Sequence, residues 1–128
     1  MLGYSLVGSN DLPRANAFYA ELLADLGLIK LFDHQSGGTI FGKNGSLQFG
    51  VVGPFDGKPA TIGNGTMTAF AAADRASVDA VHAHALRLGG TNEGNPGVRG
   101  PDPDGPFYGA YFRDLDGNKL CVFHWRRG

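Results

Sequence analysis

The chain has 128 residues and a mass of 13.5 kDa, with 42% hydrophobic and 18% charged residues, which at roughly 150 residues per domain implies one globular domain. Eleven basic against 12 acidic residues leave a net charge of -1, so no field gathers nucleic-acid phosphates or anionic lipid, and neither nucleic acid nor a membrane is an expected partner. The lone Cys121 closes no intrachain disulfide and makes no structural zinc site by itself, and residues 1–8 carry no basic run ahead of an apolar one, so the expected location is cytoplasmic.

Glycine, at 21 of 128 residues, exceeds twice the usual share of about 7%, and 7 prolines join it. These breakers divide the chain into short elements. Residues 2–8 read as a strand, and Ser9-Asn10-Asp11 then caps a helix with Pro13 just inside its start. Ala15, Phe18, Tyr19, Leu22, Leu23 and Leu26 form one helical stripe that ends at Gly27. Residues 28–32, 39–42 and 47–52 read as three strands, with Asn44-Gly45 as a hairpin turn between the last two.

After the polar connection 54–65 the same order restarts. Residues 67–73 read as a strand, and Asp74 caps a helix over 75–88 with Val78, Val81, Ala85 and Leu88 at helical spacing before Gly89-Gly90 stops it. Residues 91–106 read as a long loop with a weak strand at its start. Residues 108–113 and 119–125 form a hairpin across Asp114-Leu115-Asp116-Gly117-Asn118. The chain is thus two β-α-β-β-β modules, about 1–55 and about 65–128, repeating at about 62 to 70 residues, longer than solenoid repeats.

Ser9-Asn10-Asp11-Leu12, Phe18-Tyr19, Gly89-Gly90, Pro96-Gly97-Val98-Arg99 and the closing Tyr111-Phe112-Arg113-Asp114-Leu115-Asp116-Gly117-Asn118 together resemble the glyoxalase/bleomycin-resistance/extradiol-dioxygenase superfamily, the vicinal oxygen chelate fold. The resemblance covers essentially the whole chain. Its most specific part is the Arg-Asp-x-Asp-Gly-Asn hairpin, in which Leu115 stands where the family usually has proline. It implies an α+β fold in which two β-α-β-β-β modules make a curved eight-stranded mixed sheet around a cavity, and a homodimer.

The metal-dependent members of that family take a His from the first strand of each module and a carboxylate from a last strand. Carried onto this chain, those positions fall at about Tyr4, Met67 and Cys121, with Phe49 at the corresponding place in the first module. Tyr, Met, Cys and Phe offer neither the charge nor the donors of a divalent centre. No cofactor is therefore expected. The favoured function is metal-independent binding of a small apolar or aromatic molecule, as in the drug-sequestering branch of the family. The alternatives are a divalent-metal lyase, isomerase or dioxygenase with atypical ligands, and a non-catalytic subunit with a vestigial pocket.

The expected ligand-contacting residues are Tyr4, Phe49, Met67, Arg99, Tyr108 and Cys121. Arg99 and Tyr108 flank the glycine- and proline-rich loop, and Arg offers a planar fork for a carboxylate or phosphate. Other candidates yield less. His82 and His84 lie two apart on a helix, point away from each other and read as solvent-side residues. His34 sits in a turn and His124 near the chain end, with nothing beside either to complete a ligand set. Cys121 and His124 face opposite sides of a strand, which excludes a thiolate–imidazole dyad.

Overall fold

The computed structural model describes residues 1–127. In chain order it contains β1 (Ser5–Gly8), α1 (Leu12–Ala24), β2 (Ile29–Asp33), β3 (Thr39–Lys43), β4 (Ser46–Val52), β5 (Thr68–Ala71), α2 (Arg75–Arg87), β6 (Thr91–Val98), β7 (Phe107–Arg113) and β8 (Lys119–Trp125). The β-α-β-β-β order repeats as read from the sequence. The eight strands fall into two four-stranded mixed sheets, ordered β1-β4-β3-β2 and β5-β8-β7-β6. In each, the first strand pairs parallel with the last, and the other pairs are antiparallel.

Both helices start and stop where local chemistry demands it. The Asp11 carboxylate accepts from Arg14 N at 3.3 Å and Asp74 from Ser77 N at 2.7 Å, each satisfying a backbone donor that the first turn leaves unpaired. Gly27 and Gly89, at φ +79 and +104, turn the chain back in the left-handed region that follows each helix. The α1 stripe of Ala15, Phe18, Tyr19, Leu22 and Leu23 is buried as expected. α2 buries Val78, Val81 and Ala85, and also His82. His82 is therefore no solvent-side residue: its Nε2 lies 3.0 Å from Asn92 Oδ1 and 3.2 Å from the Tyr111 carbonyl oxygen, so a single ring nitrogen is satisfied inside the core.

β6 is the largest departure from the sequence reading. The weak strand expected at the start of residues 91–106 is present, and it runs further than its composition suggests, over Thr91–Val98, despite Gly94, Pro96 and Gly97. Its partner β7 supplies the ladder, and register shifts between Asn92 and Gly94 and between Gly94 and Gly97 take up the irregularity. Tertiary pairing overrides weak strand propensity here.

The modules meet on the helix side of the sheets. Tyr19 of α1 packs on Phe49 of β4, and Phe49 on Phe70 of β5, with ring centroids 4.9 and 5.1 Å apart. Where the edge strands approach, the Ser5 and Thr68 hydroxyls lie 3.3 Å apart. The β7–β8 turn adds a polar staple. Buried Asp114 accepts at Oδ1 from the Asp116 and Asn118 amides, both at 2.9 Å, and at Oδ2 from Asn118 Nδ2 at 2.9 Å and from the Tyr19 hydroxyl. Asn118 Nδ2 also donates to the Gly8 carbonyl, and Asn10 N donates to Asp116 Oδ1. The Arg-Asp-x-Asp-Gly-Asn hairpin thus joins the second module to the start of the first.

Candidate functional site

Each sheet has one face under a helix and one face free of helices. Phe49 and Phe112 touch side chains of α1 and α2, so by strand alternation Gly50 and Tyr111 point the other way. On the helix-free face of the first sheet Leu6, Gly50, Ile40 and Phe32 stand directly opposite one another across the four strands. On that of the second sheet the corresponding row is Ala69, Cys121, Tyr111 and Gly94.

The chemistry concentrates in the second row. The Arg99 guanidinium carbon lies 5.3 Å from the Tyr111 ring centroid and the Lys119 ammonium 5.7 Å from it. Glycine makes this possible. A Cβ at Gly94 would stand 2.9 Å from Tyr111 and 3.3 Å from Arg99, and one at Gly97 would stand 3.1 Å from Arg99, so the Arg99 side chain lies along β6 in a groove that only glycines leave open. Its guanidinium also donates to the Asn95 carbonyl oxygen. Next along the same face Phe107 and Phe123 stack at 5.4 Å with an interplanar angle of 7°, and Gly109 beneath them leaves room for the Phe107 ring. Trp125 meets Phe107 edge-on at 6.4 Å. Two cations and a run of aromatic faces thus share one surface, an arrangement suited to a flat, electron-rich molecule.

Burial pushes the Cys121 thiol up to about 11, with Arg99 opposing the shift, and burial followed by the neighbouring Cys121 raises the Tyr111 hydroxyl. At neutral pH Cys121 is a neutral thiol and Tyr111 a neutral phenol. Neither is a nucleophile or a metal donor in that state.

The six expected contact residues do not converge. Arg99 and Cys121 share the Tyr111 face. Tyr4 and Met67 lie at the entries of the first strands, 51% and 44% exposed. Met67 lines a cleft of about 630 Å³ with Arg113, Lys119 and residues 62–66. Phe49 is a correction: it is 1% exposed and sits in the core against Tyr19 and Phe70. β1 pairs Leu6 with Gly50 while β5 pairs Ala69 with Cys121, so Gly50 is the first-module counterpart of Cys121, and Phe49, one residue away, falls on the opposite face. Tyr108 is the second correction. It lies on the helix side, donating to Asp79 Oδ1 at 2.7 Å under the Arg75 guanidinium, and that hydrogen bond raises its hydroxyl pKa.

The residues present do not fit the divalent centre that the fold family implies. Among the described residues no three His, Cys, Asp or Glu side chains lie together. His82, His84 and His124 are held by Asn92, Asp25 and the Ala72 carbonyl, and His34 by Ser36.

The sequence reading does not single out Lys119, the Phe107–Phe123 pair or the Tyr111 ring as contact residues. Alternation out from Cys121 along β8 and across to β7 places all of them, but the row closes only once β6 is known to be a strand.

Comparison with known proteins agrees with the geometry. No family model and no curated protein matches the chain. Among solved structures, the chain is similar to a glyoxalase/bleomycin resistance protein from Albidiferax ferrireducens T118, at 38% identity and a TM-score of 0.87 over 98% of this chain and 99% of that one. Its fold is also that of a lactoylglutathione lyase from Agrobacterium tumefaciens, at 22% identity and a TM-score of 0.67 over 97% and 92% of the two chains. A glyoxalase/bleomycin resistance protein/dioxygenase family enzyme from Burkholderia phytofirmans PsJN shares it too, at 16% identity and a TM-score of 0.71 over 97% and 98%. With 38% identity sustained over nearly its whole length, and two β-α-β-β-β modules in the matching order, this chain belongs to the glyoxalase/bleomycin resistance family.

Proposed function

We propose that this chain binds a small aromatic molecule, without a metal, on the helix-free face of its second sheet, and that it does so as a cytoplasmic homodimer. The observation that carries the reading is Arg99 laid over Gly94 and Gly97 onto Tyr111, beside the stacked Phe107–Phe123 pair. An aromatic ligand extends that stack, and the guanidinium supplies direction to a polar substituent. The donor types at Tyr4, Met67, Gly50 and Cys121 support binding that uses no divalent ion.

A second copy is supported by the open faces. Leu6 and Phe32, 45% and 47% exposed, stand in one row of the first sheet. The chain presents 7356 Å² of surface where a compact monomer of this mass presents about 6,500 Å². Covering one helix-free face with another encloses the ligand and removes that apolar surface from water.

The test is thermal unfolding with a panel of aromatic compounds, in chelator and again with Mg, Mn, Fe, Ni or Zn. A ligand at a hundred times its Kd adds about 2.7 kcal/mol, and the gain is expected in chelator. Stabilisation that appears only with metal overturns the reading, and no stabilisation by any compound points to a vestigial pocket. Sedimentation should give a dimer, and Phe32→Glu a monomer.

A further inference from the structure

A second cleft, of about 820 Å³, opens at the far end of the first sheet, between the β2–β3 turn and the connection that follows β4. Its apolar wall is Leu6, Val52, Pro59 and Phe55, the last 97% exposed, a large ring held in water beside a concave surface. The connection is braced rather than loose. Asn10 accepts from Ala60 N at 2.7 Å and donates to the Ala60 carbonyl at 3.2 Å, and Gly57 N closes a turn onto Pro54 O.

The polar side of the cleft carries His34, Gln35, Ser36 and Lys58. His34 Nδ1 accepts from Ser36 N at 3.1 Å and lies 2.8 Å from Ser36 Oγ, which itself accepts from Gly53 N at 3.0 Å. Nδ1 is therefore an acceptor, and the neutral imidazole carries its proton on Nε2. Lys58 brings an ammonium that forms no ion pair with any described residue. Among the described residues no Asp or Glu lines this cleft, and the neighbouring Asp56 carboxylate is engaged by the Lys58 amide at 2.9 Å.

We propose that this cleft binds a small aromatic carboxylate, its ring against Phe55 and Pro59 and its carboxylate accepting from Lys58 Nζ and His34 Nε2. One ammonium balances one negative charge, which favours a carboxylate over a doubly charged phosphate. Charge-assisted hydrogen bonds beside an apolar wall select the acid over its neutral isostere. The site uses no residue of the Arg99–Tyr111 face, and it shares with the dimer proposed above only Leu6, at the edge of the first sheet's row.

The experiment is a titration of the ¹⁵N-labelled full chain with phenylacetate and, separately, with phenylacetamide. Phenylacetate should give saturable shifts of the Ser36, Gly53 and Lys58 amides, and phenylacetamide should bind about tenfold more weakly. Lys58→Gln, at an exposed position, should weaken phenylacetate about fivefold or more and leave the amide unchanged, and His34→Ala should weaken phenylacetate as well. Equal binding of acid and amide, indifference to both substitutions, or no saturable shift overturns the proposal. Shifts confined to the Tyr111 and Cys121 amides also reject this site while leaving the second-sheet reading intact.

Discussion

Cys121 shows how much of a residue's chemistry is set by its surroundings. It is the only cysteine in the chain, and exposed it would be reactive, but it is 1% exposed beneath Tyr111 and its thiol is pushed up to about 11 from an ordinary 9.0. Two units mean about a hundredfold less thiolate at neutral pH than an ordinary thiol holds. Native protein should therefore react with a disulfide reagent at least about a hundredfold more slowly than urea-unfolded protein, and equal rates would contradict the burial. Tyr19 is governed by the same physics. Burial first, and then the Asp114 carboxylate, raise its hydroxyl well above 10.0. The neutral phenol is the form the fold favours, so its contribution is complete below pH 10 and fades as pH rises from there toward the folded-state value. Alkaline titration of stability should show a loss beginning near pH 10, and Tyr19→Phe should flatten it while costing about 1–2 kcal/mol at neutral pH. An unchanged alkaline limb in that variant would remove Tyr19 from the account.

Among the elements, the β7–β8 hairpin carries a role that its sequence motif conceals. Asp114 is a buried carboxylate with no ion pair among the described residues, satisfied instead by four donors from Tyr19, Asp116 and Asn118. Asp114→Asn replaces an acceptor oxygen by an amide that must face donors, and should destabilise the chain by about 2–4 kcal/mol in urea unfolding. Asp116, whose carboxylate serves only the exposed Asn10 amide and stands outside the buried cluster, should tolerate Ala with little change. Equal losses at the two positions would refute the view of Asp114 as the staple. β6 gives the complementary lesson. Its glycines weaken it as a strand and at the same time form the groove for Arg99, so Gly94→Ala should displace the Arg99 and Tyr111 side chains and lower affinity for any ligand on that face without unfolding the chain, as checked by titration and circular dichroism.

In the whole molecule, two sheets share one core on their helix sides through Tyr19, Phe49 and Phe70 and leave their other faces free of helices, with Leu6 and Phe32 exposed on the first. That asymmetry explains a surface larger than a compact monomer of this mass presents, and it directs attention to a second copy. Among the described residues no helix is long and apolar enough to cross a membrane. If the open faces pair, dilution should lower the thermal midpoint, because a dimer's stability depends on concentration. A midpoint constant across a hundredfold dilution would mean that the faces stay open.

The amino-acid sequence alone determined the element order, both helix caps and the Asn44-Gly45 turn, since each follows from interactions among residues a few positions apart. It also carried the family resemblance, because the Arg113–Asn118 hairpin is contiguous in the chain. What it left open were quantities of register. Whether Phe49 or Gly50 faces away from the helices depends on how β1 slides against β4, some forty residues away, and a one-residue slip exchanges the faces. Likewise, β6 becomes a strand only because β7 pairs with it, and Tyr108 leaves the candidate site only because Asp79 and Arg75 of α2 take it up. Local chemistry decides which elements form. Long-range pairing decides which side of them faces the helices and which faces away, and that is decided only in the tertiary structure.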